Sequence, residues 1–270
     1  MEKSDLQADV LFYALGAVGL GLTGLVFGDF ARQWQPVPAW VPLRAPLAYL
    51  CAAFIIGAGA AALIPRWRLA GVAALGIFFA VWTLLLKTSV IFAAPLVAGA
   101  WLGFAEIGSL ALAGLMAASS LRGTGGAGAL VGLRVGYGLC AIVFGLCHYV
   151  YSDITASMVP EWLPERLFWA YLTGTGHMAA GLAIISGVMA RLAARMLGLM
   201  MGSFVLLVHL PDTIAHPTSH HAWTIQFVAL TLAGGAWLVG GVLTRHAIKN
   251  PMPDLWSAVR EAAAPRRYGS

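Results

Sequence analysis

Histidine is the side chain in this sequence with the widest chemical scope. Seven histidines are present, and all but His246 lie within residues 148–221. An imidazole can carry protons near neutral pH, donate or accept a hydrogen bond, or bind a metal. We therefore expect any chemistry to lie in the C-terminal half, with His148, His177 and His209 as the candidate catalytic residues.

The densest set of possible metal ligands lies on one loop. The candidate ligands are His209, Asp212, His216, His220 and His221. Imidazoles with one carboxylate suit zinc, copper or iron. Their spacing matches no known metal motif, and Pro211 and Pro217 predict a shaped turn rather than one helical face. The loop is therefore interpreted either as a metal site or as a solvated outer loop.

Other motifs for cofactor chemistry are absent from the sequence. It contains no Walker loop, dinucleotide fingerprint, nucleophile elbow or CxxC pair. Its cysteines, Cys51, Cys140 and Cys147, are expected to be small apolar fillers. Chemistry with a soluble cofactor would therefore have to come from another chain.

The composition predicts that a membrane protein holds these histidines. Hydrophobic residues make up 60% of the 270 residues, charged residues make up 10%, and the mean hydropathy is +0.83. Soluble domains carry about 25% charged residues. Uncharged stretches near the length that spans a bilayer recur along the chain, and lipid offers no partner for their backbone polar groups. We predict an all-α integral membrane protein with eight transmembrane helices.

The basic residues predict its orientation. With a cytoplasmic N-terminus, twelve of the sixteen Lys and Arg residues fall on inner segments and three on outer segments, while Lys87 lies in a helix end. The positive-inside rule then predicts that both termini are cytoplasmic. Because the cations mark membrane orientation, no nucleic-acid partner is expected. Lys87 and Glu106 are expected to pair near the outer ends of successive helices, because unpaired charges in a bilayer are costly.

The chain also repeats itself after 122 positions. This shift aligns Pro38, Trp40, Pro42 and Arg44 with Pro160, Trp162, Pro164 and Arg166, and Trp101 with Trp223. We predict two tandem four-helix bundles over residues 1–125 and 126–249, which we call the first and second units, followed by a basic cytoplasmic tail over 250–270. Because the first unit has no histidine, it is expected to be structural, and the second unit is expected to carry the site.

Three motifs of the second unit carry a family resemblance. They are VPEWLP at 159–164, AYLTG at 170–174 and AAGLA at 179–183, followed by Pro217 and Trp223. The chain resembles the DoxX-like family of small four-helix bacterial membrane proteins, which implies a location in the bacterial inner membrane. The resemblance implies a membrane unit associated with quinone-linked redox systems, such as thiosulfate oxidation, or with membrane-tethered oxidative-stress complexes.

Three functions follow from these observations. In the first, the chain is a membrane subunit of a quinone-linked redox system, and His148, His177, His209, Trp169 and Tyr171 bind the quinone on the outward half of the second unit. The glycine-rich surroundings of His177 also fit tight helix packing without a ligand. The second function is haem or transition-metal binding by the outward histidines. The third is a non-enzymatic anchor for an oxidoreductase partner; a transporter has the least support.

Overall fold

The computed structural model describes residues 5–123 and 127–249, which are helical apart from short connections. No strand occurs in these two ranges. The predicted tail over 250–270 and residues 124–126 of the glycine-rich stretch between the units lie outside them.

The first half contains five α-helices and two shorter helical segments within the described residues. They are α1 (Asp5–Phe27), a 3₁₀ turn (Arg32–Trp34), α2 (Arg44–Leu63), α3 (Arg68–Trp82), a π-helical segment (Thr83–Lys87), α4 (Thr88–Ala93) and α5 (Ala98–Arg122).

The second half follows the same order. It consists of α6 (Ala127–Val150), α7 (Ser152–Met158), α8 (Arg166–Ser186), α9 (Ala190–Phe204), a π-helical segment (Val205–His209), α10 (Leu210–Ala215) and α11 (His220–Lys249).

The 122-residue period of the sequence recurs in these helix bounds. The segments α2 and α8, α3 and α9, and α5 and α11 begin 122 positions apart. The two π-helical segments, Thr83–Lys87 and Val205–His209, obey the same shift. The side-chain N–H groups of Trp101 and Trp223 donate to the carbonyl oxygens of Pro95 and Pro217, each at 2.8 Å. π-Helices are rare, so their recurrence is a structural signature of the repeat.

Seven helices in the described ranges are long and apolar enough to cross a membrane. They are Leu6–Phe27, Arg44–Leu63, Arg68–Ala93, Ala98–Arg122, Gly128–Val150, Ala190–Ala215 and His220–Ala247. The eighth predicted span corresponds to α8, which has 21 residues. Its polar Thr173, Thr175 and His177 lower its hydropathy. Both threonine hydroxyls donate to carbonyl oxygens of the preceding turn, and His177 is buried.

The helices pack as two rings that share one edge. In the first half α1 contacts α2, α2 contacts α3, and α3 contacts α5. The second half repeats this series with α6, α8, α9 and α11. The first and fourth helices of each half also pack on the other half, because α1 lies against α11 and α5 against α6. Contacts between α5 and α11 form the shared edge, so neither half is a closed bundle by itself.

Glycines permit the close approach of α1 and α11. A methyl group added at Gly16 would lie 2.6 Å from the backbone nitrogen of Thr231, and one added at Gly234 would overlap the backbone of Tyr13. Tyr13 is fully buried there, and its hydroxyl donates to the carbonyl oxygen of Leu110 on α5 at 2.8 Å. Small residues at such contacts are the usual means of packing helices in lipid, where no hydrophobic effect drives them together.

Candidate functional site

His148 and His177, the histidine pair, lie side by side between α6 and α8. Their ring centroids are 4.9 Å apart, and the ring planes meet at 45°. His177 is 2% exposed. The two helices come close because they carry glycines here: a methyl group added at Gly174 would lie 2.8 Å from Cβ of His148. The structure thus brings together two of the three predicted catalytic histidines.

The hydrogen bonds of the pair define what it offers to a ligand. Nδ1 of His148 lies 2.8 Å from the carbonyl oxygen of Phe144. A carbonyl only accepts, so Nδ1 carries the proton, and in the neutral ring Nε2 is an acceptor. Nδ1 of His177 is buried without a hydrogen-bond partner. A buried polar atom without a partner costs about 1–3 kcal/mol, so a partner supplied by a ligand would be stabilising there.

Aromatic rings surround the histidine pair. Phe144 packs edge-on against His177 with ring centroids 5.6 Å apart. Phe204, the last residue of α9, lies 6.2 Å from His177 and 6.4 Å from His148. Three helices therefore build one polar position inside an apolar wall, which is the usual composition of a small-molecule site. Sequence reasoning missed Phe204, because nothing in the sequence shows which face of α9 points at α8.

The other predicted cofactor-binding residues lie elsewhere on the same end of the molecule. His209 ends the second π-helical segment and interacts electrostatically with Asp212, and it makes no ring contact with the histidine pair in the described structure. The indole N–H of Trp169 donates to the carbonyl oxygen of Pro164. Tyr171 stacks on Tyr149 with ring centroids 5.4 Å apart.

The predicted metal ligands His216, His220 and His221 do not converge, because each contacts a different residue. His216 contacts the carboxylate of Asp212 at 2.9 Å and is exposed. His220 stacks on Phe27 of α1 at 4.6 Å, and His221 packs at 6.2 Å against Trp34. Within residues 5–123 and 127–249, no three His, Cys, Asp or Glu side chains are grouped as metal ligands would be.

The first half has different chemistry at the matching positions. The 122-residue shift places Ile55 opposite His177 and Lys87 opposite His209. Ile55 is buried among apolar residues. Lys87, also buried, interacts electrostatically with Glu106 on α5 as expected, and its Nζ lies close to Gly103, one turn before that carboxylate.

These features define the class of protein: an α-helical integral membrane protein with a contacting pair of histidines between its helices. Within this class, a DoxX family model matches residues 129–210. The matched segment covers α6, α8 and α9 and ends just after His209, so the resemblance seen in the sequence is confirmed for the part that holds the histidine pair. Comparisons with curated proteins and with solved structures gave no match.

Proposed function

We propose that the chain is a membrane subunit of a quinone-linked redox system and that the histidine pair binds the quinone head group. One observation carries this proposal: two imidazoles in contact, one with an unpartnered buried nitrogen, stand inside an aromatic wall between apolar helices. A quinone supplies two-electron, two-proton chemistry and has two oxygens that accept hydrogen bonds. Its apolar ring suits Phe144 and Phe204.

The two histidines have different roles in this proposal. Because His148 donates from Nδ1 to the Phe144 carbonyl, its ring is held in one orientation and its Nε2 accepts the proton of a ligand hydroxyl. His177 can donate from its unpartnered Nδ1 to a ligand oxygen. The burial of His177 keeps water from its contact, which strengthens that hydrogen bond. Electrons would come from a partner chain, because this chain has no redox motif and its cysteines are free.

A haem ligated by both histidines fits this geometry poorly. Such ligation places the two imidazoles on opposite faces of the iron, with the macrocycle between them. Ring centroids 4.9 Å apart in mutual contact leave no space for it. A non-enzymatic anchor, in contrast, would use the same fold without any ligand at the histidine pair.

Quinone binding by the full-length protein in lipid nanodiscs tests the proposal. A short-tailed benzoquinone should bind saturably by calorimetry. His148→Phe and His177→Phe should each weaken binding about tenfold, since each removes one hydrogen bond. His216→Phe is the matched control, because His216 is exposed and outside the pair.

Absence of saturable binding, or equal affinity in all three variants, would exclude a quinone site at the pair. An absorption spectrum and a metal assay on the same sample separate the alternatives. A Soret band or stoichiometric metal would favour the haem or metal function. A sample with no Soret band, no metal and no quinone binding would favour the anchor.

We also propose that α8 is the eighth span, which would place both termini on the cytoplasmic side. Its 21 residues suffice to cross a hydrocarbon core of about 30 Å. Contacts with α6 and α9 on either side support a span, since both neighbours are long and apolar enough to cross. The histidine pair would then lie in the outward half of the membrane.

A further inference from the structure

A second polar position lies on the other side of the bundle, between α1, α2 and α11. We call it the His220 cleft. Its polar lining consists of Thr23, Asp29, Gln35, His220 and Thr224. Its free space holds about one water molecule. None of these residues belongs to the histidine pair, and the lining comes from α1, α2, α11 and the connection between α1 and α2.

His220 enters this cleft with an unsatisfied atom. The residue is 7% exposed, and its Nε2 is buried without a hydrogen-bond partner. The ring is held in place by stacking on Phe27, with the two planes only 10° from parallel. The stacking fixes the plane of the ring, and Nε2 is buried in this orientation.

The two threonine hydroxyl groups of the cleft act as hydrogen-bond acceptors toward a ligand. The Thr224 hydroxyl donates to the carbonyl oxygen of His220 at 2.7 Å, and the Thr23 hydroxyl donates to that of Gly19 at 3.0 Å. With their hydrogens used in this way, both oxygens can only accept further hydrogen bonds. The cleft therefore favours a ligand that donates.

Charge excludes ionic ligands. The carboxylate of Asp29 is in an ion pair with Arg44 and also accepts the N–H of Phe30. Arg32 and His221 also interact electrostatically with His220. With both arginines charged, the surroundings carry a net positive charge, which disfavours a cation. An anion would face the threonine lone pairs, so a neutral donor is the favoured ligand.

An apolar crevice adjoins the cleft. It is lined by Trp34, Phe79, Trp82, Leu110 and Val228, and it shares Leu20, Ala31 and Gln35 with the cleft. Its free space is about 20 Å³, against about 150 Å³ for a cavity that accepts benzene. A hydroxyl in the cleft can thus belong to a water molecule, which fits the space as it stands, or to a phenol whose ring enters the crevice as its lining side chains move apart.

We infer that the His220 cleft is a binding site for a neutral hydroxyl group that hydrogen-bonds to Nε2 of His220. A hydroxyl both donates and accepts, so it satisfies Nε2 in either tautomer of the ring. Its source is a water molecule or a phenol. The inference is independent of the quinone proposal, because no residue is common to the two sites.

Nitrogen NMR of the full-length protein in nanodiscs, labelled with ¹⁵N at histidine, tests the inference. The His220 resonance is assigned by its loss in His220→Phe, which keeps the stacking on Phe27; His220→Gln serves if the first variant does not fold. We expect Nε2 of His220 to show a hydrogen-bonded shift and a cross-peak to a hydroxyl proton. Phenol is then added to wild-type protein as the probe.

Two outcomes support the site and identify the source of the hydroxyl. A water cross-peak that persists with phenol present assigns the site to water, and its replacement by a phenol proton assigns it to a phenol. In the second case, His220→Phe should weaken phenol binding about tenfold, whereas His221→Phe, the matched control facing Trp34, should not. A free-imidazole shift without any hydroxyl cross-peak, with or without phenol, overturns the inference.

Discussion

The contact between Asp9 and Arg195 gives the sharpest test of how the two halves are joined. Asp9 lies on α1 and Arg195 on α9, 186 residues later, with Oδ1 and Nη1 2.5 Å apart. The pair lies against two glycines of α11: a methyl group at Gly240 would lie 2.9 Å from the Arg195 side chain, and one at Gly241 would overlap the Asp9 carboxylate. We predict that Asp9→Asn weakens this junction.

The expected magnitude follows from burial. The side chains are 9% exposed for Asp9 and 24% for Arg195. Breaking a buried ion pair costs about 3–5 kcal/mol, and breaking an exposed one costs about 0–1 kcal/mol. Arg195 keeps its stacking on Trp237, 4.4 Å from the ring centroid, so the loss should fall at the lower end of the buried range. We expect Asp9→Asn to lower the free energy of unfolding by about 3 kcal/mol.

Equilibrium unfolding in mixed micelles of mild and denaturing detergent, followed by circular dichroism, measures this change. Glu161→Gln is the matched control. The Glu161 side chain is 93% exposed and 3.7 Å from Arg166, so its loss should cost no more than about 0.5 kcal/mol. Equal stability of Asp9→Asn and Glu161→Gln would refute the conclusion that this contact fastens α1 to the second half.

The remaining predictions concern packing and topology. Tyr13→Phe should cost about 1 kcal/mol in the same assay, because it removes the buried hydroxyl that donates to Leu110; no change would mean that this hydrogen bond has no net value. Gly234→Ala should destabilise the protein by at least 1–3 kcal/mol through overlap with α1, roughly the cost of overpacking a core. Gly57→Ala, which meets nothing within 4 Å, should instead stabilise by roughly 0.5–1 kcal/mol; the same sign for both variants would contradict the close approach of α1 and α11. A reporter that is active only in the cytoplasm should be active when it is fused after the C-terminus. A C-terminus found in the periplasm would show that α8 does not cross the membrane.

Helix positions were predictable from this sequence, but helix neighbours were not. The 122-residue shift pairs Arg44 with Arg166, and these two residues begin α2 and α8. The same reasoning favoured a closed bundle within each unit, because consecutive helices usually pack together. The exchange of partners between the halves depends on close contacts such as Gly234 against Tyr13, whose members are far apart in sequence.

The candidate site shows the same division. His148 and His177 were predicted to belong to one site because both lie on helices of the second unit. The contact between their rings was not predictable, since His148 lies near the end of α6 and His177 in the middle of α8. The separation of the loop histidines was not predictable either, because the rings that hold them come from the first half: Phe27 for His220 and Trp34 for His221. A cluster in sequence is therefore not a cluster in space when another chain segment offers each member its own aromatic partner.

The packing between the two halves resembles the packing between the subunits of a dimer. In each half, the first and fourth helices are covered by helices of the other half, with α1 on α11 and α5 on α6. A lone four-helix unit with this packing would leave both of those faces without a partner, and a second copy related by twofold symmetry would cover them. The tandem chain therefore has the arrangement of a dimer joined into one polypeptide. Joining the copies lets their sequences diverge, so that His177 stands where the first half has Ile55, while His220 of the second half completes a cleft in the first.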